Sequence, residues 1–107
     1  MNKETEERIG ELQGIEQNLQ KFLNQKQQFQ TQTVEIDSAL KELPTSEKSY
    51  KIVGNIMVAV DKDKLKNDLE DKKERIELRL KSIEKQEQKM REKADSIQKE
   101  VMESMKK

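Results

Sequence analysis

Apolar residues recur along this chain in alternating steps of three and four. From Leu12 they run Leu12, Ile15, Leu19 and Phe22, then Phe29, Ile36, Leu40 and Leu43. A mean step of about 3.5 residues is a heptad, which lays one apolar stripe along an α-helix and winds that helix around a partner. With Leu12 at position a, the a row is Leu12, Leu19, Lys26, Thr33 and Leu40, and the d row is Ile15, Phe22, Phe29, Ile36 and Leu43, without a break. The polar a residues Lys26 and Thr33 weaken packing but fix register, because a shifted partner would bury them against unsuitable neighbours.

The second half repeats the pattern. Leu69, Ile76, Ile83, Met90 and Ile97 stand seven apart, with Leu80, Glu87, Ala94 and Val101 as the companion row. Outside this seam lie opposite charges four residues apart: Asp68 with Lys72, Asp71 with Arg75, Glu77 with Lys81, Glu87 with Arg91 and Asp95 with Lys99. Each such pair is worth about 0.2–0.5 kcal/mol to an exposed helix. Pro44 restrains the residue before it from α geometry, and Asp61 or Asp63 is placed to cap a helix before Leu65. The pattern therefore predicts helices over about 4–43 and 62–105, each roughly 60 Å long at 1.5 Å per residue. A connector of roughly 18 residues cannot retrace that length and also turn, at about 3.3 Å per extended residue, so the helices must be antiparallel. That arrangement sets Ile9, Leu12 and Ile15 near Ile97, Val101 and Met105.

Between the helices lies YKIVGNIMVAV, Tyr50 to Val60, the densest β-branched stretch of the chain. Gly54-Asn55 divides it into two strand-like runs and reads as a tight hairpin, glycine supplying a positive φ. In the second run Ile56, Val58 and Val60 point one way while Met57 and Ala59 point the other, so both faces require burial. A lone two-stranded hairpin is marginal and leaves backbone groups unpaired on its outer edges. Pairing with hairpins of other chains, closing a sheet or barrel that gathers several coiled coils, satisfies both needs through Tyr50, Ile52, Val53, Gly54, Ile56, Met57, Val58 and Val60. In the alternative, the hairpin folds back on Leu40, Leu43 and Leu65 of its own helices, which leaves Met57 and Ala59 exposed beside free edges.

Composition narrows the function. The 107 residues are 41% charged, 31% hydrophobic and 3% aromatic, too polar for an ordinary globular core. Lys+Arg and Asp+Glu balance at 22 each, and the basic residues are interleaved with acids, which disfavours nucleic acid. No stretch is apolar enough to span a membrane, and the chain reads as cytoplasmic. Cysteine and histidine are both missing, which removes disulfides, zinc fingers, thiol nucleophiles and imidazole bases. Asp61-Lys62-Asp63 lacks the glycine and the twelfth ligand of a calcium loop, and Gly10 and Gly14 follow no strand that could open a phosphate cradle. No enzyme, metal or cofactor is expected.

The order of long heptad helix, one short hairpin and long heptad helix, with YKIVGNIMVAVDKDKL running through the hairpin into the second helix, resembles the β-type subunits of the prefoldin family, the archaeal ones in particular. Its specific part is Tyr50, the Val53-Gly54 step and the Ile56-Met57-Val58 run. The α-type subunits carry two hairpins, and this connector has room for one. The resemblance implies a single prefoldin-like domain over residues 1–107 and a mostly α fold, a long antiparallel coiled coil whose hairpin joins a β-barrel platform. It further implies a hetero-hexamer of two α-type and four β-type subunits, an ATP-independent holdase that captures non-native proteins and passes them to a group II chaperonin.

Held against that expectation, the open ends of the coiled coil are the places for client contact. Helix ends fray and no further layer covers them, so Ile9, Leu12, Ile15, Ile97, Val101, Met102 and Met105 are the candidate client-binding residues. Methionine repacks readily against varied partners. The family's chaperonin contact also uses charged tip residues, which makes Glu100, Glu103, Lys106 and Lys107 candidates for it. The competing reading is a structural coiled-coil scaffold or tether, for which heptads alone suffice.

Overall fold

A computed structural model describes residues 2–106. Helix α1 spans Lys3–Glu42, a 3-10 turn follows over Leu43–Thr45, strands β1 (Ser49–Val53) and β2 (Ile56–Val60) form a hairpin, and helix α2 spans Lys62–Lys106. The expected mostly helical fold with one β-hairpin is therefore present.

Local chemistry sets each boundary. Asn2 Oδ1 accepts the Thr5 backbone N–H at 2.8 Å, and Glu4 and Glu6 occupy the first turn, where the helix dipole favours negative charge. At the other end α1 stops at Glu42, one residue short of the expected Leu43, and the chain tightens into one 3-10 turn around Pro44. Proline has no N–H to continue the α ladder, and beyond it the Ser46 N–H turns to the Leu43 carbonyl at 3.2 Å, so the Glu42 carbonyl instead accepts the Thr45 hydroxyl at 2.7 Å and the Ser46 hydroxyl at 3.3 Å. Asp61 opens α2: its carbonyl receives the Leu65 N–H at 2.9 Å, and its carboxylate lies 3.4 Å from the Lys64 N–H.

The packing forms two compact units, one made of the residues up to Gln27 with those from Leu80 onward, the other of Gln28–Arg79. In the first, the helical stretches run antiparallel: Thr5 meets Ser104, Arg8 meets Glu100 and Lys26 meets Glu87, so numbers rise on α1 as they fall on α2. Ile15, Ile83 and Ile97 are buried along this seam, with Leu12, Leu19, Phe22, Leu80, Met90, Ala94 and Val101 half-buried beside them. In the second unit Ile36, Leu43 and Ile76 are buried, and Phe29, Leu40, Leu65 and Leu69 half-buried. Burying an isoleucine side chain stabilises by about 1.5–3 kcal/mol, and these seam residues are the main apolar burial in each unit.

The charge pairing departs from the sequence pattern. Of the five pairs four residues apart on α2, only Glu87 with Arg91 closes among the described residues, at 3.8 Å, while Arg75 Nε lies 3.5 Å from the Asp71 carbonyl oxygen. The other ion pairs run from one helix to the other: Arg8–Glu100 at 3.0 Å, Lys26–Glu87 at 2.9 Å and Asp37–Lys73 at 2.6 Å. Long exposed side chains lose rotamer entropy on pairing in water, so a partner across a seam, where packing already restrains the stem, wins over one on the same solvated face.

Candidate functional surfaces

The hairpin is built around Gly54, whose φ of 60° is open to glycine and strained for other residues, while no other described residue has a positive φ. Glycine at the first central position and an ordinary residue at the second make a type II′ turn, whose twist matches the paired strands. The register pairs Ser49 with Val60, Tyr50 with Ala59, Lys51 with Val58, Ile52 with Met57 and Val53 with Ile56. Directly opposed residues share a face, so Tyr50, Ile52, Met57 and Ala59 form one wholly apolar face. The other face holds Ser49, Lys51, Val53, Ile56, Val58 and Val60. In a two-residue hairpin the closing pair is hydrogen-bonded and pairs alternate from there. The backbone groups of Tyr50, Ile52, Met57 and Ala59 therefore aim outward along the two free edges.

The chain does not cover this surface with its own helices. Ile52 is 71% exposed, Ile56 66%, Met57 64% and Val53 57%, with Tyr50 and Val58 about half exposed. Only the root is sealed: Ser49 is buried with its hydroxyl on the Val60 carbonyl at 2.7 Å, Lys62 Nζ donates to the Ser46 carbonyl, and Leu43 is buried. Beside the root lies a cleft of about 570 Å³ between Leu40, Leu43, Pro44 and the start of α2. The folded-back alternative, with the hairpin covering Leu40 and Leu65, is not what forms. Exposed apolar residues so concentrated are uncommon on a self-sufficient chain and mark an interaction surface.

The other unit carries the chain ends. Ile15 and Ile97, at 8% and 6% exposure, belong to the seam, and Leu12, Val101 and Ile9 are half-buried. Met102 and Met105 stand out at 60% and 67%. Glu100 is engaged with Arg8, Glu103 and Lys106 are exposed, and Lys107 lies outside the described residues. The arrangement thus separates the tip candidates into seam residues and a solvent-facing methionine pair.

Two polar layers within this unit escape a hydrophobic reading. Thr5 is 2% exposed, its hydroxyl 2.8 Å from that of Ser104. They extend the rows of Leu12 and Ile97 by one further heptad, which is the signal that could have found them. Glu87, 6% exposed, takes Lys26 Nζ at 2.9 Å and has the Arg91 guanidinium at 3.8 Å, so its carboxylate is compensated from both helices. Among the described residues no group of acidic side chains is arranged to hold a metal, and no helix is long and apolar enough to cross a membrane.

The sequence profile of the family described as prefoldin subunit matches residues 6–107. The chain belongs to that family. It is 36% identical over 96 residues to the prefoldin subunit beta of Thermococcus onnurineus, covering 87% of this chain and 83% of that protein. It is 34% identical over 103 residues to the prefoldin subunit beta of Sulfurisphaera tokodaii, covering 94% and 82%. The crystal structure of the prefoldin beta subunit from Thermococcus strain KS-1 superposes with a TM-score of 0.85 at 31% identity, covering 96% of this chain and 93% of that one. Prefoldin is a chaperone family, and its members are subunits of an oligomer, which is the setting that an uncovered hairpin requires. The single hairpin matches the β-type resemblance carried by Tyr50, Val53-Gly54 and Ile56-Met57-Val58.

Proposed function

We propose that this prefoldin-family chain, acting as one domain, is the β-type subunit of a cytoplasmic, ATP-independent holdase that binds non-native proteins at its coiled-coil tips and delivers them to a group II chaperonin. The observation that carries the reading is the hairpin, apolar on one whole face and most of the other, yet exposed. Sibling hairpins cover it in a barrel platform shared by two α-type and four β-type subunits. At the tips Met102, Met105 and Ile9 make the first contacts with client, while Leu12 and Val101 contribute where the helix ends fray. Ile15 and Ile97 hold the seam beneath them. Each contact is worth at most about 1.5–3 kcal/mol, and several rods engaging one client raise avidity through effective concentration. Release then proceeds contact by contact without nucleotide. Glu103, Lys106 and Lys107, with Glu100 once freed from Arg8, meet the chaperonin.

The test mixes the chain and an α-type partner with a chemically denatured, aggregation-prone enzyme in the absence of nucleotide and follows turbidity. Suppressed aggregation is expected, and replacing Ile9, Met102 and Met105 by serine relieves the suppression while leaving helicity intact. Unchanged turbidity with the assembled complex rejects the holdase reading. Full suppression by the triple variant moves client contact away from the tips.

A further inference from the structure

We propose that the Lys26–Glu87 pair is a pairing-specificity lock that makes α1 of each chain fold against its own α2 at one alignment and disfavours pairing of either helix with its counterpart in a second copy. Glu87 is 6% exposed and Lys26 is held 2.9 Å away, with Phe22 one seam step before Lys26 on α1 and Ile83 and Met90 one step either side of Glu87 on α2. Such a pair is a poor source of stability, because both charges leave water to meet. It acts through what it forbids. Sliding α2 by one heptad would set Lys26 beside Leu80 or Ala94 and Glu87 beside Leu19 or Thr33, leaving two charges in the seam without partners.

The same layer discriminates against other chains. Two α1 helices pairing in parallel would place Lys26 against Lys26, and two α2 helices Glu87 against Glu87. Apart from the uncharged Thr5, Ser104 and Thr33, the remaining seam residues are aliphatic or aromatic and tolerate either arrangement. In a protein that the proposed function gathers into an oligomer, this matters: the rods are brought close to one another, and the lock confines contact between chains to the hairpins. The inference concerns the pairing of helices around Lys26 and Glu87, and its test does not depend on client holding.

The chain has no cysteine, so engineered cysteines report alignment cleanly. In the full-length chain, Thr5→Cys with Ser104→Cys samples the native alignment, since these short side chains meet at 2.8 Å, and Thr5→Cys with Ile97→Cys samples a slip of one heptad. After oxidation, denaturing mass spectrometry counts native, slipped and interchain disulfides. With Lys26 and Glu87 intact, the native disulfide exceeds the slipped and interchain species by about tenfold or more. In K26L/E87L that preference falls by about tenfold without loss of thermal stability, and in the charge-reversed K26E/E87K it returns. K26E alone, which sets two carboxylates against each other across the seam, loses the preference and provides a second measurement. Retention of the native preference in K26L/E87L overturns the proposal, as does its failure to return in K26E/E87K.

Discussion

Replacing Met57 by lysine separates assembly from folding. Met57 is 64% exposed and Ile52, directly across the hairpin, 71%. Full burial of such a side chain is worth about 1.5–3 kcal/mol. With about two-thirds of each still open to water, cover by a neighbouring subunit contributes about 1–2 kcal/mol per residue. A lysine at this position forfeits that contribution and requires its ammonium to be stripped of water on a face whose other members, Tyr50, Ile52 and Ala59, offer no counter-charge, a penalty of several kcal/mol per site. Within the chain itself Met57 covers little, so the stability of the helices changes by no more than about 0.5 kcal/mol. The assay is sedimentation of the chain mixed with an α-type partner, alongside thermal melting by circular dichroism. The expected result is loss of the assembled species in favour of the 12.6 kDa chain, with an unaltered helical signal. Met57→Leu, which conserves volume, keeps the assembly. An unchanged assembled mass for M57K refutes the argument that the exposed hairpin face is covered by other subunits.

Ile83→Ala removes a side chain that is 4% exposed in the seam and lowers stability by about 2–5 kcal/mol in chemical denaturation, whereas Leu78→Ala, at 62% exposure, changes it by less than about 1 kcal/mol. Gly54→Ala meets no neighbouring atom but forces a side chain onto a φ of 60°. It weakens the hairpin by about 1–2 kcal/mol, read as diminished assembly while helical melting stays constant. The Asp37 carboxylate, hydrogen-bonded to Lys73, holds that ammonium above the ordinary lysine range. A raised folded value means the stabilisation is complete below the unfolded lysine value and fades as pH climbs through the folded one. On the alkaline side, the melting-temperature gap between the parent and Asp37→Asn therefore persists until strongly alkaline pH and closes there, and a gap that widens instead contradicts the assignment.

Much of this molecule was legible in the chain because its period depends on near neighbours alone. The a and d rows from Leu12 to Leu40 and from Leu69 to Val101 became the seam, and Gly54-Asn55 became the turn. Hydrophobic spacing stopped short of Thr5 and Ser104, whose heptad positions are right but whose side chains are polar. Their burial depends on each finding the other across the pair, which no window along one helix contains.

What the amino-acid order determined by itself was element type, turn and stripe, since helical period, the conformational freedom of glycine and the missing N–H of proline are local properties. The tertiary structure alone decided which charges close, with Arg8, Lys26 and Asp37 reaching the opposite helix while most same-face pairs on α2 stay open. It also divided the apolar residues into those enclosed, such as Ile15 and Ile97, and those left to water, such as Ile52, Met57, Met102 and Met105. The physical reason is the same for both: burial and pairing are set by what lies across a seam, and residues distant in the chain become neighbours only when two helices share one register.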